Sequence, residues 1–367
     1  MAKPRLSVTN RVAAAATLLS VSSEQTAAPK TWVKDQLRSK SWRSSVGWNV
    51  VAGPNDKLDF TEGVTGDATA SLTAGNYATG GDLAAHVETQ LNAAATDNTY
   101  TVTYSASTKK FTIARDTGSA SFGLEWSTGA NAAASIGLDL GFDTSADDTG
   151  ATSYESDNAS YKSREWLKAD LGSALSVAVG IVVNHNLGTS GTIRLQGNAT
   201  DVWTSPTVDQ VLSGDAAIRI AFISEQSLRY WRLVIDDVAT NTAGYSEIGV
   251  WYAGPYTEPT ISYAIGFTLE WQQLSEVTVA ISGAHFQDER AQRPVWSLAW
   301  VEVPEGDRAA LRAALFAVPR GKCFFFTFDS ATPTGTEYVY LDAGFQERLT
   351  SGLYFDIPVP VLAGALG

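Results

Sequence analysis

The sequence predicts a mainly β protein with α+β parts. A β-sandwich carries an inserted small α+β module and is followed by a second α+β domain. Three observations predict this organisation. Short runs of β-branched and aromatic residues recur roughly every ten to twenty residues, the charge changes abruptly near residues 47 and 158, and a clear helix pattern lies between strand patterns within 258–367.

The length and composition limit how many domains the chain can form and which classes of partner it can bind. A chain of 367 residues with 44% hydrophobic composition has apolar material for two or three domains. Its net charge is −13, and basic residues cluster only at Lys30, Lys34, Arg38, Lys40 and Arg43. Nucleic-acid binding needs clustered basic side chains, so we expect no nucleic-acid partner and interpret this cluster as a solvated face or an intersubunit patch. No apolar run approaches the eighteen or so residues of a membrane-spanning helix, so we expect no membrane insertion.

The charge steps mark the middle of the chain as a separate module. Residues 1–46 hold eight Lys and Arg against two acids, a net charge of +6. Residues 47–158 hold four against fifteen, a net of −11, and residues 159–367 hold fourteen against twenty-two, a net of −8. The sequence therefore predicts an acidic insert over 47–158.

Local patterns within the insert predict a helix and a hairpin. Leu83, Val87 and Leu91 are four residues apart, which places them on one face of a helix over 82–95, and Thr79 is suited to cap its start. Residues 100–104 and 111–113 alternate between polar and apolar around a turn at 105–109, which is typical of a β-hairpin. A second short helix or turn is expected over 130–140.

Five short motifs flank the insert in a fixed order. They lie at 18–23, 42–44, 166–172, 182–186 and 230–232, and include Trp42-Arg43-Ser44 and Tyr230-Trp231-Arg232. This order resembles the discoidin-like, or galactose-binding-like, family. The resemblance implies one β-sandwich built from 1–46 and 159–257. Residues 47–158 would then leave and return at one loop, where insertions are tolerated.

The segment 258–367 has a strand, helix, strand order. Its motifs are Arg293 to Trp296, an amphipathic helix over 305–318, Arg320-Gly321, and an aromatic strand with a following aspartate over 324–329. This order resembles the tail-belt domain of siphophage distal-tail and related minor tail proteins, although in that family the belt domain comes first in the chain. The resemblance implies a homo-oligomeric ring of six copies, with Trp296, Trp300 and Phe325 at the oligomer or tail-tube interface.

We expect no enzyme activity, no cofactor and no metal site. The three histidines, His86, His185 and His285, are far apart, and no catalytic or metal-ligand motif occurs. Adjacent acids such as Asp147-Asp148 and Asp236-Asp237 point to opposite faces of a strand, which favours a solvated loop and a strand end. Calcium binding in a discoidin-like loop stays open.

Three aromatic residues are candidates for ligand contact. Trp203, Trp251 and Tyr252 could form a platform on which a sugar stacks, as in galactose-binding-like modules. The alternative is that they pack in a core or an interface.

Taken together, these features predict a bacteriophage virion structural protein of the tail tip or baseplate. It would be made in the host cytoplasm and would join the tail tube protein to the tail-tip hub proteins as a distal-tail-like ring, with the sandwich and insert projecting outward. The alternative is a carbohydrate-binding adhesin module that contacts host surface glycans.

Overall fold

The computed structural model describes residues 3–37, 39–63, 66–118, 121–264, 267–279, 281–282, 285–288, 291–319, 322–342, 346–351 and 354–364. Within them the chain is mainly β, which confirms the predicted class. Three short strands precede the insert: β1 (Arg5–Ser7), β2 (Leu18–Val21) and β3 (Trp42–Arg43).

The insert builds a core of its own. Its elements are β4 (Trp48–Val50), β5 (Lys57–Glu62), β6 (Gly66–Ser71), β7 (Gly75–Tyr77), α1 (Gly80–Ala94), β8 (Thr99–Tyr104), β9 (Phe111–Thr117), β10 (Phe122–Leu124), α2 (Gly137–Leu140), β11 (Asp148–Thr149) and β12 (Ser153–Glu155). The sheets β11-β10-β5-β6 and β12-β9-β8, the pair β4–β7 and helix α1 contribute side chains to one hydrophobic cluster, which contains only residues from Trp48 to Tyr154.

The local predictions for the insert agree with its structure. Leu83, Val87 and Leu91 are buried on one face of α1, and the Thr79 hydroxyl accepts a hydrogen bond from the Asp82 amide at 3.1 Å. β8 and β9 form the predicted hairpin. In its turn Lys109 adopts a φ of 60°.

The sandwich is built on two long strands. Its remaining strands are β13 (Glu165–His185), β14 (Thr192–Asn198), β15 (Val208–Val211), β16 (Ser213–Gly214), β17 (Ile218–Asp236) and β18 (Glu247–Gly254). β13 and β17 pair along most of their length, with irregularities between Asp170 and Leu175 and between Val177 and Val179. Side chains from both halves of β13, such as Leu167 and Val182, share one core with Trp42 and Trp231, as in a β-sandwich.

The second half of β13 is buried on both faces. Val182 faces the sandwich core, whereas Val179, Ile181 and Val183 face the opposite way and pack against Phe325 and its neighbours. A strand that is buried on both faces needs a continuous apolar run rather than an alternating one, which explains the sequence from Val177 to Val183.

The C-terminal part forms a seven-stranded sheet with one helix on it. Its elements are β19 (Thr268–Gln273), β20 (Glu276–Val279), β21 (His285–Asp288), β22 (Gln292–Pro304), α3 (Glu305–Phe316), β23 (Cys323–Thr327), β24 (Thr336–Leu341), β25 (Arg348–Ser351) and β26 (Tyr354–Gly364). The sheet order is β1-β23-β24-β26-β22-β19, and β25 pairs with β26. Leu311, Ala314 and Leu315 of α3 pack into the core on one face of this sheet. Its assignment as a tail-belt domain stays a prediction.

The first strand lies outside the sandwich to which the sequence analysis assigned it. β1 pairs antiparallel with β23, and Leu6 belongs to the core of the C-terminal sheet. A pairing across more than three hundred residues leaves no periodic signal in the local sequence, so the boundary at residue 1 was wrong for these residues.

Candidate functional site

A cleft of about 430 Å³ lies where the insert meets the sandwich. One wall comes from the sandwich and contains Trp166, Trp203 and Arg232. The opposite wall comes from the insert and contains Pro54, Asn55 and Asp139. A volume of this size is within the range of small-molecule pockets, which form preferentially between structural units.

Strand alternation positions the sandwich wall. Trp231 and Leu233 of β17 point into the sandwich core, so the intervening Arg232 and the following Val234 point outward. Trp166 of β13 lies directly opposite Val234 and therefore on the same outer face.

Trp203 reaches this wall from the loop between β14 and β15. Its indole N–H donates to Asp201 at 2.7 Å, and Asp201 forms an ion pair with Lys168 at 2.5 Å. The Arg232 guanidinium lies over the Trp203 ring, 4.4 Å from the ring centroid, and its Nε donates to Gln196 at 2.6 Å. These contacts fix the indole and the guanidinium in one arrangement.

Arg232 is a partly buried cation whose nearby acids are engaged elsewhere. Asp201 pairs with Lys168, and Asp209 pairs with Arg194 at 2.8 Å. Burial lowers the pKa of Arg232 to about 10. The charges of Asp209 and Asp201 act in the opposite direction and raise this pKa, but by less than burial lowers it. The side chain stays charged at neutral pH.

The insert wall is held by an ion pair across the junction. Arg164 Nε lies 3.1 Å from Oδ1 of Asp139, a fully buried carboxylate that also accepts from Asn55 Nδ2 at 2.7 Å and from the Arg164 amide at 2.7 Å. Burial alone would lower the pKa of Arg164, but the Asp139 carboxylate raises that pKa overall. The pair joins α2 of the insert to the start of β13.

Two more buried ionisable side chains lie at the cleft: Glu165, which lines it, and Lys162. Burial raises the pKa of Glu165, although Lys162 and hydrogen bonds from Ser22, Ser23 and Asn49 oppose this. Burial lowers the pKa of Lys162, which is fully enclosed and donates to the Ser163 carbonyl. Buried charges require partners of this kind, and these partners come from both sides of the junction.

Only one of the three predicted sugar-stacking residues lies at a surface. Trp203 lines the cleft, but Trp251 is fully buried in the sandwich core. Tyr252 is buried against the C-terminal sheet, where it packs edge-on to Phe325 and donates its hydroxyl to the Pro255 carbonyl at 2.8 Å. Adjacent residues of β18 face two different cores, so Trp251 and Tyr252 cannot form a platform with Trp203, and this part of the prediction was wrong.

The predicted interface residues are also core residues. Trp296 and Trp300 pack with α3 in the C-terminal core, and Phe325 packs against the sandwich on the other face of the sheet. All three are at most 6% exposed, because the C-terminal sheet is covered on both faces at these positions. They cannot form an intersubunit surface while this fold is intact.

The acidic pairs have structural partners. Asp147 accepts from the Ser127 amide at 2.6 Å, and Asp148 accepts from the Trp126 indole at 2.9 Å. Asp237 accepts from the Gly188 amide at 2.7 Å and from the Thr240 hydroxyl at 2.7 Å. Among the residues that the structure describes, no group of three or more His, Cys, Asp or Glu side chains is arranged to hold a metal ion.

Sequence reasoning missed Arg232, Arg164 and Asp139 as residues of the cleft. A signal existed for Arg232, since alternation around Trp231 and Leu233 places it on the outer face of β17. No comparable signal existed for Asp139 and Arg164, because they meet only when the insert is docked.

Comparisons with known proteins are sparse. No family model and no curated protein matches the chain. Among solved structures, the family 32 carbohydrate-binding module of C. perfringens NanJ, in complex with galactose, aligns over 69% of this chain and 99% of its own length. The sequence identity is 8% and the TM-score is 0.29. In the part of the chain that the structure describes, no helix has the length and apolar character needed to span a bilayer.

Proposed function

We propose that this chain is a structural protein of a bacteriophage tail tip that assembles into a ring through its C-terminal sheet. The observation that carries the proposal is the distribution of exposed apolar side chains. Of the fourteen large apolar side chains that are exposed among the described residues, nine lie within 258–367. Exposed apolar surface that is concentrated in one region is typical of an interaction surface.

The exposed side chains of β19 continue an apolar face that is covered elsewhere. Leu269 lies directly opposite the buried Trp296, and Trp271 lies opposite Pro294, so both side chains share the face of the sheet on which α3 packs. Leu269 is 48% exposed and Trp271 is 61% exposed. The core side of the sheet is therefore open to solvent at this strand.

β19 is also the last strand of the sheet. An edge strand presents unpaired backbone N–H and C=O groups, which favour pairing with another strand. A second copy of this chain would cover both the open edge and the apolar side chains. When such an edge binds a different surface of the next copy, the contact is head-to-tail, and it closes into a ring if the rotation between copies is a fraction of a full turn. The expected number of copies is six.

The proposed position of the ring, at the end of the tail tube, depends on the motif order of residues 293–329. The partners proposed from this position are the tail tube protein and the tail-tip hub proteins. We propose Leu269 and Trp271 as the interface residues, because Trp296, Trp300 and Phe325 are buried. The position in the tail is tested by labelling the protein in virions and locating the label by electron microscopy. If the label were absent from the tail, the phage assignment would be overturned. Self-assembly is tested separately by the next experiment.

Self-assembly is tested by measuring the mass of the full chain in solution by light scattering. We expect a closed oligomer, and we expect Trp271→Glu to weaken association by about 30-fold or more, as for a central interface tryptophan. Leu18→Glu is the matched control, because Leu18 is 69% exposed on a strand of the sandwich. A wild-type chain that stays monomeric at micromolar concentration would contradict the proposal, as would equal effects of the two substitutions.

The second candidate function is contact with host surface glycans. Its support is narrower than the three predicted aromatic residues suggested, because Trp251 and Tyr252 are buried. What remains is Trp203, which lines the cleft together with Trp166 and Arg232.

A further inference from the structure

Four charged side chains line the cleft, and among them Arg164 and Asp139 form an ion pair with each other. Glu165 is 1% exposed, and its oxygens already accept hydrogen bonds from Ser22, Ser23 and Asn49. Arg232 forms no ion pair within the described part of the chain, and its Nε is held by the neutral amide of Gln196. Arg232 is therefore the charged side chain of the cleft that is left to pair with a ligand.

The neighbours of Arg232 increase its need for an anion. Lys168 lies directly opposite Arg232 across β13 and β17, and like charges at such positions repel each other. Asp201 is the acid near both, and it is paired with Lys168 and with the Trp203 indole. A guanidinium that is partly removed from water and lacks a carboxylate is suited to bind one from a ligand, because its fork of donors matches carboxylate geometry.

The rest of the cleft offers flat apolar surface with a few polar groups. Trp166 and Trp203 line it from the sandwich side, and Val51 and Pro54 line it from the insert side. Indole rings present large rigid faces at low entropic cost, and the C–H faces of a sugar ring pack well against such surfaces. The exposed side chain of Thr204 supplies a hydroxyl beside Trp203 that can hydrogen-bond to sugar hydroxyls.

We infer that this cleft binds a sugar residue that carries one carboxylate, with the carboxylate on Arg232 and the ring against Trp203 and Trp166. The inference does not depend on ring assembly. It deepens the glycan-binding candidate by naming the chemical class of the ligand and by moving the site away from Trp251 and Tyr252.

The test compares sugars that differ in the acidic group. Three pairs of an acidic and a neutral sugar are offered at millimolar concentrations to the full chain: galacturonate and galactose, glucuronate and glucose, and N-acetylneuraminate and its methyl ester. Binding is detected by saturation-transfer NMR and measured by titration calorimetry. We expect at least one acidic sugar to bind at least about tenfold more tightly than its neutral counterpart, which is the effect of a hydrogen bond to a charged group. The panel also distinguishes a uronic acid from a sialic acid as the source of the carboxylate.

Two variants and one matched control locate the site. Arg232→Met removes the charge and keeps most of the packing, and Trp203→Ala removes the indole from a surface loop. Each is expected to weaken binding of the acidic sugar by at least about tenfold. Arg229→Gln is the control, because Arg229 lies on the same strand, pairs with Asp170 at 2.7 Å and is not part of the cleft.

Three results would overturn the inference: no binding of any acidic sugar in the panel, equal binding of the acidic and neutral members of each pair, or unchanged binding in Arg232→Met. The oligomeric mass of Arg232→Met is expected to equal that of the wild type. A failure of the cleft hypothesis is thereby distinguished from a failure of ring assembly.

Discussion

Glu62 illustrates how one buried carboxylate can organise a turn. Its two oxygens accept hydrogen bonds from the backbone amides of Thr96, Asp97 and Asn98 at 2.8, 3.0 and 3.1 Å, and from the Tyr100 hydroxyl at 2.9 Å. Burial would raise the pKa of Glu62, but these donors hold the pKa below its usual value of 4.5. The carboxylate thereby satisfies the amides that connect α1 to β8.

Replacement of this carboxylate should destabilise the insert in a pH-dependent manner. Glu62→Gln is expected to lower the free energy of unfolding by about 1–3 kcal/mol at neutral pH, because an amide cannot accept all the bonds that a carboxylate accepts. Since the folded pKa is depressed, this contribution is complete above the unfolded value of 4.5 and is lost as the pH falls through the folded value. Urea denaturation of both proteins at pH 7 and at pH 3 measures the difference.

The control for this experiment is Glu155→Gln, which changes an exposed carboxylate of the same module. A difference between wild type and Glu62→Gln that is equally large at both pH values would contradict the assignment of the effect to the charged form of Glu62.

At the scale of elements, β1 completes a sheet that is otherwise formed by the other end of the chain. Leu6 is buried in the C-terminal core, while the neighbouring Ser7 pairs with Phe325. The Leu6 amide and carbonyl also bond to Thr257, at 2.9 and 2.8 Å. One short strand thus connects β23 to the segment that follows the sandwich.

Truncation of Leu6 should therefore loosen the C-terminal sheet and leave the sandwich unchanged. Leu6→Ala is expected to cost about 2–5 kcal/mol, as for other buried leucines. Leu18→Ala, at an exposed position of β2, is expected to change stability by less than about 0.5 kcal/mol. Hydrogen exchange read at β23 and β24 locates the effect. If Leu6→Ala instead reduced the protection of β2 and β13, this result would contradict the assignment of Leu6 to the C-terminal core.

The elements that could be predicted from sequence are those specified by near neighbours. The Thr79 cap, the α1 stripe and the hairpin around Lys109 are defined within about fifteen residues, so local spacing was sufficient. The location of β1 and the burial of Trp251, Trp296 and Phe325 depend on partners far along the chain. Aromatic residues favour cores and interfaces alike, so composition could not distinguish the two.

At the scale of the whole molecule, the insert is fastened to the sandwich by polar contacts. Asp139 accepts from the side chain and the backbone amide of Arg164, and the Trp48 indole donates to Ser160 Oγ at 2.7 Å. These residues lie at or near the two crossings between the modules. The cleft exists only while the two walls are held together.

Breaking the Asp139–Arg164 pair should release the insert. Asp139→Asn is expected to cost about 3 kcal/mol, at the low end for a buried pair because Arg164 is partly exposed. Limited proteolysis is expected to cut the variant at the junction segments 50–56 and 156–164 sooner than the wild type. Asp143→Asn, an exposed aspartate a few residues away, is the control. Equal cleavage rates in both variants would show that the pair does not fasten the junction.

The pairing of β1 with β23 has a consequence for biosynthesis. Along the chain, the insert lies between the two parts of the sandwich, and the sandwich lies between β1 and the other strands of the C-terminal sheet. The three cores are therefore nested in the sequence. A ribosome that makes this chain releases β1 more than three hundred residues before its partner strand exists. The insert has all its core residues in one continuous stretch and is the first unit able to fold, followed by the sandwich. The outermost core closes last, so any surface assembled from the C-terminal sheet forms only after translation has passed β23.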